Sequence, residues 1–308
     1  MLRYVAKRVV YMFVALLIII SLTWFISKLL PGTPFADQKL TSETRAQLYA
    51  KYGLDEPWPV QYSKYMLNVV QGDLGNSYYF QSKPVTEIIL ARLPVSAFIG
   101  IQAIVFGLII GLVLGIVAAL RHNRFWDSAA TVLAILGVSV PSFVLGPILQ
   151  YWLGVKLGWF PIAFFESWWH SVLPSLALSV FVIATVARFI RAEMLEVMGQ
   201  DYTTLAKAKG LSGLAVVLKH VLRNALIPLV TVLAPLTIYI ITGSLVVEQI
   251  FAVPGIGEEF VRSVVVSDYA MILGTTIFFS VLFILALLIQ DILYGIIDPR
   301  IRVAGAKE

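Results

Sequence analysis

The sequence predicts an all-α membrane protein of six transmembrane helices with both termini on the cytoplasmic side. Three observations carry that reading. Of 308 residues, 59% are hydrophobic and only 13% charged, whereas a soluble domain carries about 25% charged residues. Six stretches of at least 18 residues contain no Asp, Glu, Lys or Arg. The basic residues between those stretches fall mostly on one side.

The first stretch, 9–27, follows Arg3, Lys7 and Arg8. Its 19 uncharged residues exceed a usual signal-peptide core and no small-residue cleavage pattern follows, so it is read as a retained span. The others are 93–120, 128–155, 167–187, 224–247 and 269–290. Each reaches the roughly 20 apolar residues that cross about 30 Å of hydrocarbon, and a helix satisfies its own backbone there. An even number of spans puts both termini on one side. That side's segments hold 14 Lys and Arg, and the other side's hold 9, of which 7 lie in the 65-residue segment 28–92. A segment that long counts little toward orientation, and without it the ratio is 14 to 2. The chain thus divides into an N-terminal transmembrane helix (1–30), an extracytoplasmic helical segment (31–92), a five-helix core (93–297) with a cytoplasmic loop (192–224), and a cytoplasmic tail (298–308).

Within the extracytoplasmic segment, a short helix from Ser42 to Tyr52 stops at Gly53. Trp58, Tyr62, Tyr65, Met66 and Val69 then mark one face of a second helix that has Pro57 near its start and Gly72 past its end. Such a face can pack on the protein's own helices, lie among lipid headgroups, or dock a partner. In the cytoplasmic loop, Asp201 is an N-cap candidate, Thr204 to Lys209 continues as helix, and Gly210 can end it in a left-handed conformation. Ser212 can cap a second helix from Leu214 to Asn224. Ala206, Ala208 and Gly210 keep the first helix thin enough for another protein to approach; a plain connecting loop is the alternative.

The spans exclude several function classes. Tyrosines apart, their one ionisable side chain is His170; Glu248 and Asp291 lie at span ends, where water is expected to reach them. Ion-driven carriers keep charges inside the membrane for coupling, so a secondary transporter is disfavoured. There is no Gly-Lys-Ser/Thr phosphate loop, no His-Glu-x-x-His and no acidic cluster for a divalent metal. Gly137-Val138-Ser139-Val140-Pro141 starts like a nucleophile elbow but lacks the closing glycine. Cysteine is absent, and His122, His170 and His220 fit no ligand spacing. A net charge of +5 spread over so few charges does not describe a nucleic-acid surface.

Gly107, Gly111 and Gly115 form a smooth face for close helix packing. Gly137, Pro141, Gly146 and Pro147 in the third span, and Pro228 and Pro235 in the fifth, permit kinks. Ser139, Ser142, Gln150, Thr231, Thr237, Tyr239 and Thr242 can line a polar path or bond backbone within their own helices.

Asp201-Tyr202, Ala206-Lys207-Ala208-Lys209-Gly210, His220 and Arg223-Asn224-Ala225-Leu226-Ile227-Pro228 are similar to the cytoplasmic coupling motif of ATP-binding-cassette importer permeases. Thr204-Leu205-Ala206 stands where the general motif has Glu-Ala-Ala, a departure that resembles the peptide and nickel branch. Glu248, Phe251, Val253-Pro254-Gly255-Ile256-Gly257 with Asp268-Tyr269, and Asp298-Pro299-Arg300, resemble that branch's signatures, with Ala270 in place of a frequent proline.

One span, a long outer segment and five more spans resemble the first of the two permease subunits of oligopeptide and dipeptide importers. The resemblance implies a multi-pass subunit of the bacterial inner membrane, without ATPase activity or cofactor of its own. It implies a second homologous permease, two cytoplasmic ATPases holding ATP and Mg, and an extracytoplasmic peptide-binding protein. It places Asp201, Tyr202, Thr204, Ala206, Lys207, Ala208 and Gly210 against an ATPase. Trp58, Tyr62, Tyr65, Pro254, Gly255 and Gly257 are the expected binding-protein contacts, and oligopeptide the expected cargo. Dipeptide or nickel-chelate cargo, or a self-sufficient channel or carrier, are the alternatives.

Overall fold

The computed structural model describes residues 2–29, 35, 41–80, 82–241 and 245–297. The described elements are helical. Helix α1 spans Leu2–Leu29, α2 Ser42–Lys51, α3 Trp58–Val70, α4 Val85–Leu120, α5 Phe125–Ser139 and α6 Ser142–Leu149, which continues as π-helix over Gln150–Lys156. A 3-10 turn, Trp168–Ser171, leads into α7, Val172–Met198. Helix α8 is Asp201–Ala208 and α9 is Gly213–Val216; a π-helical stretch, Val217–Leu222, then joins α10, Arg223–Ile241. Helix α11 is Leu245–Ile250, α12 Ile256–Val265 and α13 Tyr269–Ile297. Thr242, a path candidate, and Asp298-Pro299-Arg300 lie outside the described residues.

Five helical stretches are long and apolar enough to cross a membrane. The sixth expected span is a broken one. Helix α5 and the α6 segment, Ser142–Lys156, bend by 102° at the break. Pro141 explains where: it is the N-cap of α6 with extended backbone, and as proline it donates no N–H to continue the ladder of α5. Helix α4 begins at Val85, ahead of the charge-free stretch, because Glu87 and Arg92 sit within its first turns.

The core is the pair α4 and α7. Gly107, Gly111 and Gly115 are buried and face Val182, Val186 and Ala187 of α7, so the two backbones nearly touch. At Gly111 an added Cβ would lie 2.8 Å from Val186 Cβ. Gly111→Leu is therefore expected to cost about 1–3 kcal/mol through overpacking and to lower the melting temperature of the purified protein. An unchanged melt contradicts this packing.

The bundle has two ends. At one, Arg8 of α1 pairs with Asp291 of α13 at 3.1 Å, and α7 runs out into α8. At the other, Val85 and Ile88 of α4 pack with Ile256 of α12 and Met271 of α13. There α3 folds back on α1: Tyr62 stacks on Phe25, and its hydroxyl shares a 2.6 Å hydrogen bond with Ser21.

Candidate functional site

The candidate site consists of an elbow at one end of the bundle, a carboxylate cradle at the other, and a cavity between them. In the elbow, α7 ends at Met198, and α8 is held against it by Thr203, a buried side chain that sequence reasoning passed over. Its hydroxyl donates to the Val197 carbonyl at 2.7 Å and lies 2.9 Å from that of Gln200. Gln200, not Asp201, is the N-cap; Asp201 occupies the first turn, where its negative charge favours the positive end of the helix dipole. Gly210 has φ +80°, the left-handed turn expected of it, and Ser212 caps α9 by accepting from the Ala215 N–H at 3.3 Å.

Ala206 is not on the approachable face. It is buried in one cluster with Val197, Val216, Val221 and Ala225, so its small side chain lets α8 seat against the helices on either side. The two halves of the motif thus meet: Ala206 and Ala225 belong to one buried cluster, and Tyr202 Oη accepts from Asn224 Nδ2 at 3.4 Å. Exposed at the elbow are Asp201, Tyr202, Thr204, Lys207, Ala208 and Gly210, together with Leu205, Leu214 and Leu218. Leu211 is exposed as well, so the elbow carries four exposed leucines along with the exposed Lys207, Lys209 and Lys219. The signal available in the sequence was leucine at 214 and 218, one helical turn apart.

Close to this end, α7 is locked to α5. Arg191 donates from Nε to Asp127 Oδ1 at 2.6 Å and from Nη2 to Oδ2 at 2.9 Å. The Asn123 N–H adds a 2.9 Å bond to Oδ2, and His122 Nδ1 lies 3.1 Å from it. A bidentate pair of this kind fixes orientation as well as distance.

At the opposite end, Glu248 overturns the expectation that water reaches it: it is 1% exposed. Its Oε2 accepts from the Gly257 N–H at 2.8 Å and the Glu258 N–H at 3.1 Å, donors of the first turn of α12 that have no partner within the helix. Gly255 and Gly257 are buried against this carboxylate, and a Cβ on Gly255 would run into it. They are therefore cradle residues and not surface contacts; of the signature only Pro254 is exposed. Around the cradle, Arg92 of α4 binds Glu258 at 3.1 Å and Glu259 at 2.8 Å, and Arg262 binds Glu259 at 2.6 Å. Burial raises the Glu259 carboxyl above the usual range, against the pull of Arg92 and Arg262. Asp268 is buried too, accepting from the Ser77 hydroxyl and from the N–H groups of Tyr78 and Tyr79 at 3.2 and 3.3 Å.

Of the other surface candidates, Trp58 is exposed, Tyr62 is turned onto α1, and Tyr65 is half-buried. A cavity of about 830 Å³ lies where the α5–α6 break meets α7, α10, α11 and α13. Ser142 and Tyr239 line it; Ser139 is exposed beside the break and Thr237 is half-buried on α10. Gln150 instead donates to the carbonyls of Ile162 and Ile250, at 2.7 and 3.1 Å. Thr231 is buried and bonds the Pro228 carbonyl at 2.6 Å. Two lining hydroxyls that residue type and spacing did not single out, Thr276 and Ser280, donate to backbone of their own helix at 2.7 Å. Among the described residues no cluster of three metal-ligating side chains occurs.

Comparison with known proteins supplies the context. Residues 111–303 match the family described as binding-protein-dependent transport system inner membrane component, and residues 1–100 match that described as its N-terminal membrane component. The dipeptide transport system permease protein DppB of Bacillus subtilis is 45% identical over 303 residues, covering 98% of either chain. The oligopeptide transport system permease protein OppB of Haemophilus influenzae is 39% identical over 305 residues, covering 98% of this chain and 100% of its own. Among solved structures, the MetNI methionine ABC transporter in inward-facing form superposes with TM-score 0.55 at 17% identity, over 71% of this chain and 100% of that one, which establishes likeness of fold.

Proposed function

This chain belongs to the inner-membrane components of binding-protein-dependent transport systems, in the peptide branch, and from that premise we propose that it is half of the translocation path of an ATP-driven importer of short peptides. The other half is a second homologous permease. Two cytoplasmic ATPases, which hold ATP and Mg, supply the work, and an extracytoplasmic peptide-binding protein delivers cargo. Dipeptides stand level with the oligopeptides expected from the sequence, since relatives named for each align along almost the whole chain.

One observation carries the reading: the elbow joins the helices without slack. Ala206 is packed among Val197, Val216 and Ala225, and from Gly213 to Ile241 the backbone is helical throughout. A rigid lever of this kind turns a small displacement at α8 into movement of α10 beside the cavity. Leu205, Leu214 and Leu218, with Lys207 and Lys209, form the surface an ATPase cleft would grip. In this reading the elbow end is cytoplasmic, as the distribution of basic residues requires, and the α12 end faces the binding protein.

The cavity supports a conduit of low affinity. Its hydroxyls at Thr276 and Ser280 are engaged with backbone, and Ser142 and Tyr239 are uncharged. Selectivity then resides in the binding protein. Exchanging binding proteins between related reconstituted importers is expected to transfer the peptide preference with the binding protein; preference that stays with the permease pair contradicts this.

A further inference from the structure

The expected third span does not cross as one helix. Helix α5 has 15 residues, about 22 Å at roughly 1.5 Å per residue, which leaves it about 8 Å short of a hydrocarbon layer of about 30 Å. The Ser142–Lys156 segment then turns by 102° from the direction of α5. Its depth is fixed by its neighbours: Leu149 and Leu153 pack with Leu173 in the first turn of α7 and with Phe251 and Val253 beside the cradle. It therefore lies at the α12 end.

The chain from Gln150 to Trp169 is chemically distinctive. Its charged residues are Lys156 and Glu166, while four of the chain's seven tryptophans fall there. Trp152, Trp159 and Trp168 are 58%, 61% and 61% exposed, and Tyr151 and Phe164 are exposed beside them. Residues 157–167 are irregular, with few backbone bonds, such as Trp159 N–H to the Leu153 carbonyl at 2.9 Å and Phe164 N–H to that of Phe251 at 2.8 Å. Irregular backbone of this kind cannot sit in hydrocarbon, where lone amides find no partner. Exposed indole and phenyl groups equally do not favour bulk water. The layer that satisfies both is the headgroup region, where Trp and Tyr concentrate, and where in-plane helices bury about 5–10 Å, matching the shortfall of α5. Lys156 Nζ, 5.5 Å from the Tyr151 ring, is placed as a side chain reaching toward phosphate. Leu133 and Leu136 of α5 and Phe143 and Ile148 of α6, which precede the segment in the chain, are exposed as well.

We propose that Gln150–Trp169 is a lipid-binding collar, lying in the plane of the outer headgroup layer and anchoring the outer end of the broken span in lipid. The chain has no cysteine, so single labels report on it directly. Trp159→Cys and, as a second site, Ile162→Cys are labelled with an environment-sensitive fluorophore in the assembled transporter in nanodiscs, with Val70→Cys, at a position 81% exposed on the outer segment, as the reference. Both collar labels are expected to lose more fluorescence to a headgroup-level lipid quencher than to one at the bilayer centre, and to resist aqueous iodide better than the label at 70. Stronger quenching from the bilayer centre overturns the proposal, because the segment then spans. So does quenching by iodide equal to that at 70, or protection from every quencher, which means that a protein covers it.

Discussion

Gly210→Asp is expected to lower peptide-stimulated ATP hydrolysis by the assembled transporter about tenfold while leaving assembly intact. Gly210 is at φ +80° and a Cβ there meets nothing within 4 Å, so the substitution harms the fold only through backbone strain. That strain is at most about 1–2 kcal/mol and smaller for aspartate, which tolerates the left-handed region, so it supplies only part of the tenfold loss, which corresponds to about 1.4 kcal/mol. Aspartate adds a negative charge beside Lys207 and Lys209 at the proposed ATPase contact. Gly210→Ala, which adds strain without charge, is expected to fall between wild type and Gly210→Asp. The check is ATPase activity of purified complexes with and without loaded binding protein. Normal stimulation in a normally assembled Gly210→Asp complex removes the coupling role from the elbow.

Arg191→Ala is expected to have the largest effect on stability, at the upper end of the about 1.5–3 kcal/mol of hydrogen bonds to a charged group. It leaves Asp127, whose side chain is 5% exposed, with only the Asn123 N–H and His122 for partners. Asp127→Ala is expected to do less damage, because the Arg191 side chain is 29% exposed and can turn to water. The double variant is expected to be more stable than Arg191→Ala alone, since no buried carboxylate is then left unpaired. Thermal unfolding of the three purified variants checks the order. If Arg191→Ala is no worse than Asp127→Ala, the pair is not a buried lock between α5 and α7.

Much of this architecture was legible from residue type and spacing because a membrane imposes one-dimensional rules. Stretches without charge marked the spans, and the four-residue spacing of Gly107, Gly111 and Gly115 marked the face of α4 that meets α7. Ser212 and Gly210 marked the elbow because cap and turn chemistry are local. Contacts that depended on distant pairing were hidden. Asp127 and Arg191 are 64 residues apart, and nothing in either neighbourhood announces the other. Glu248 read as exposed because it follows an apolar run, yet its partners, the N–H groups of Gly257 and Glu258, arrive only when α12 folds back over it. Ala206 read as a contact for another protein because small residues permit approach from any side; Val216 and Ala225 occupy that side. Pro141 was one of four residues in the third span that permit a kink, but none of them sets where the helix breaks or at what angle, and 102° turns half the stretch away from the direction of α5.

The central claim is that this chain moves cargo only when work arrives from outside it through the elbow. The direct measurement is uptake of labelled peptide into proteoliposomes holding both permeases and the binding protein, with and without the two ATPases. The account predicts concentrative, ATP-dependent uptake with the ATPases and none without them. Accumulation of peptide by the permeases unaided contradicts it.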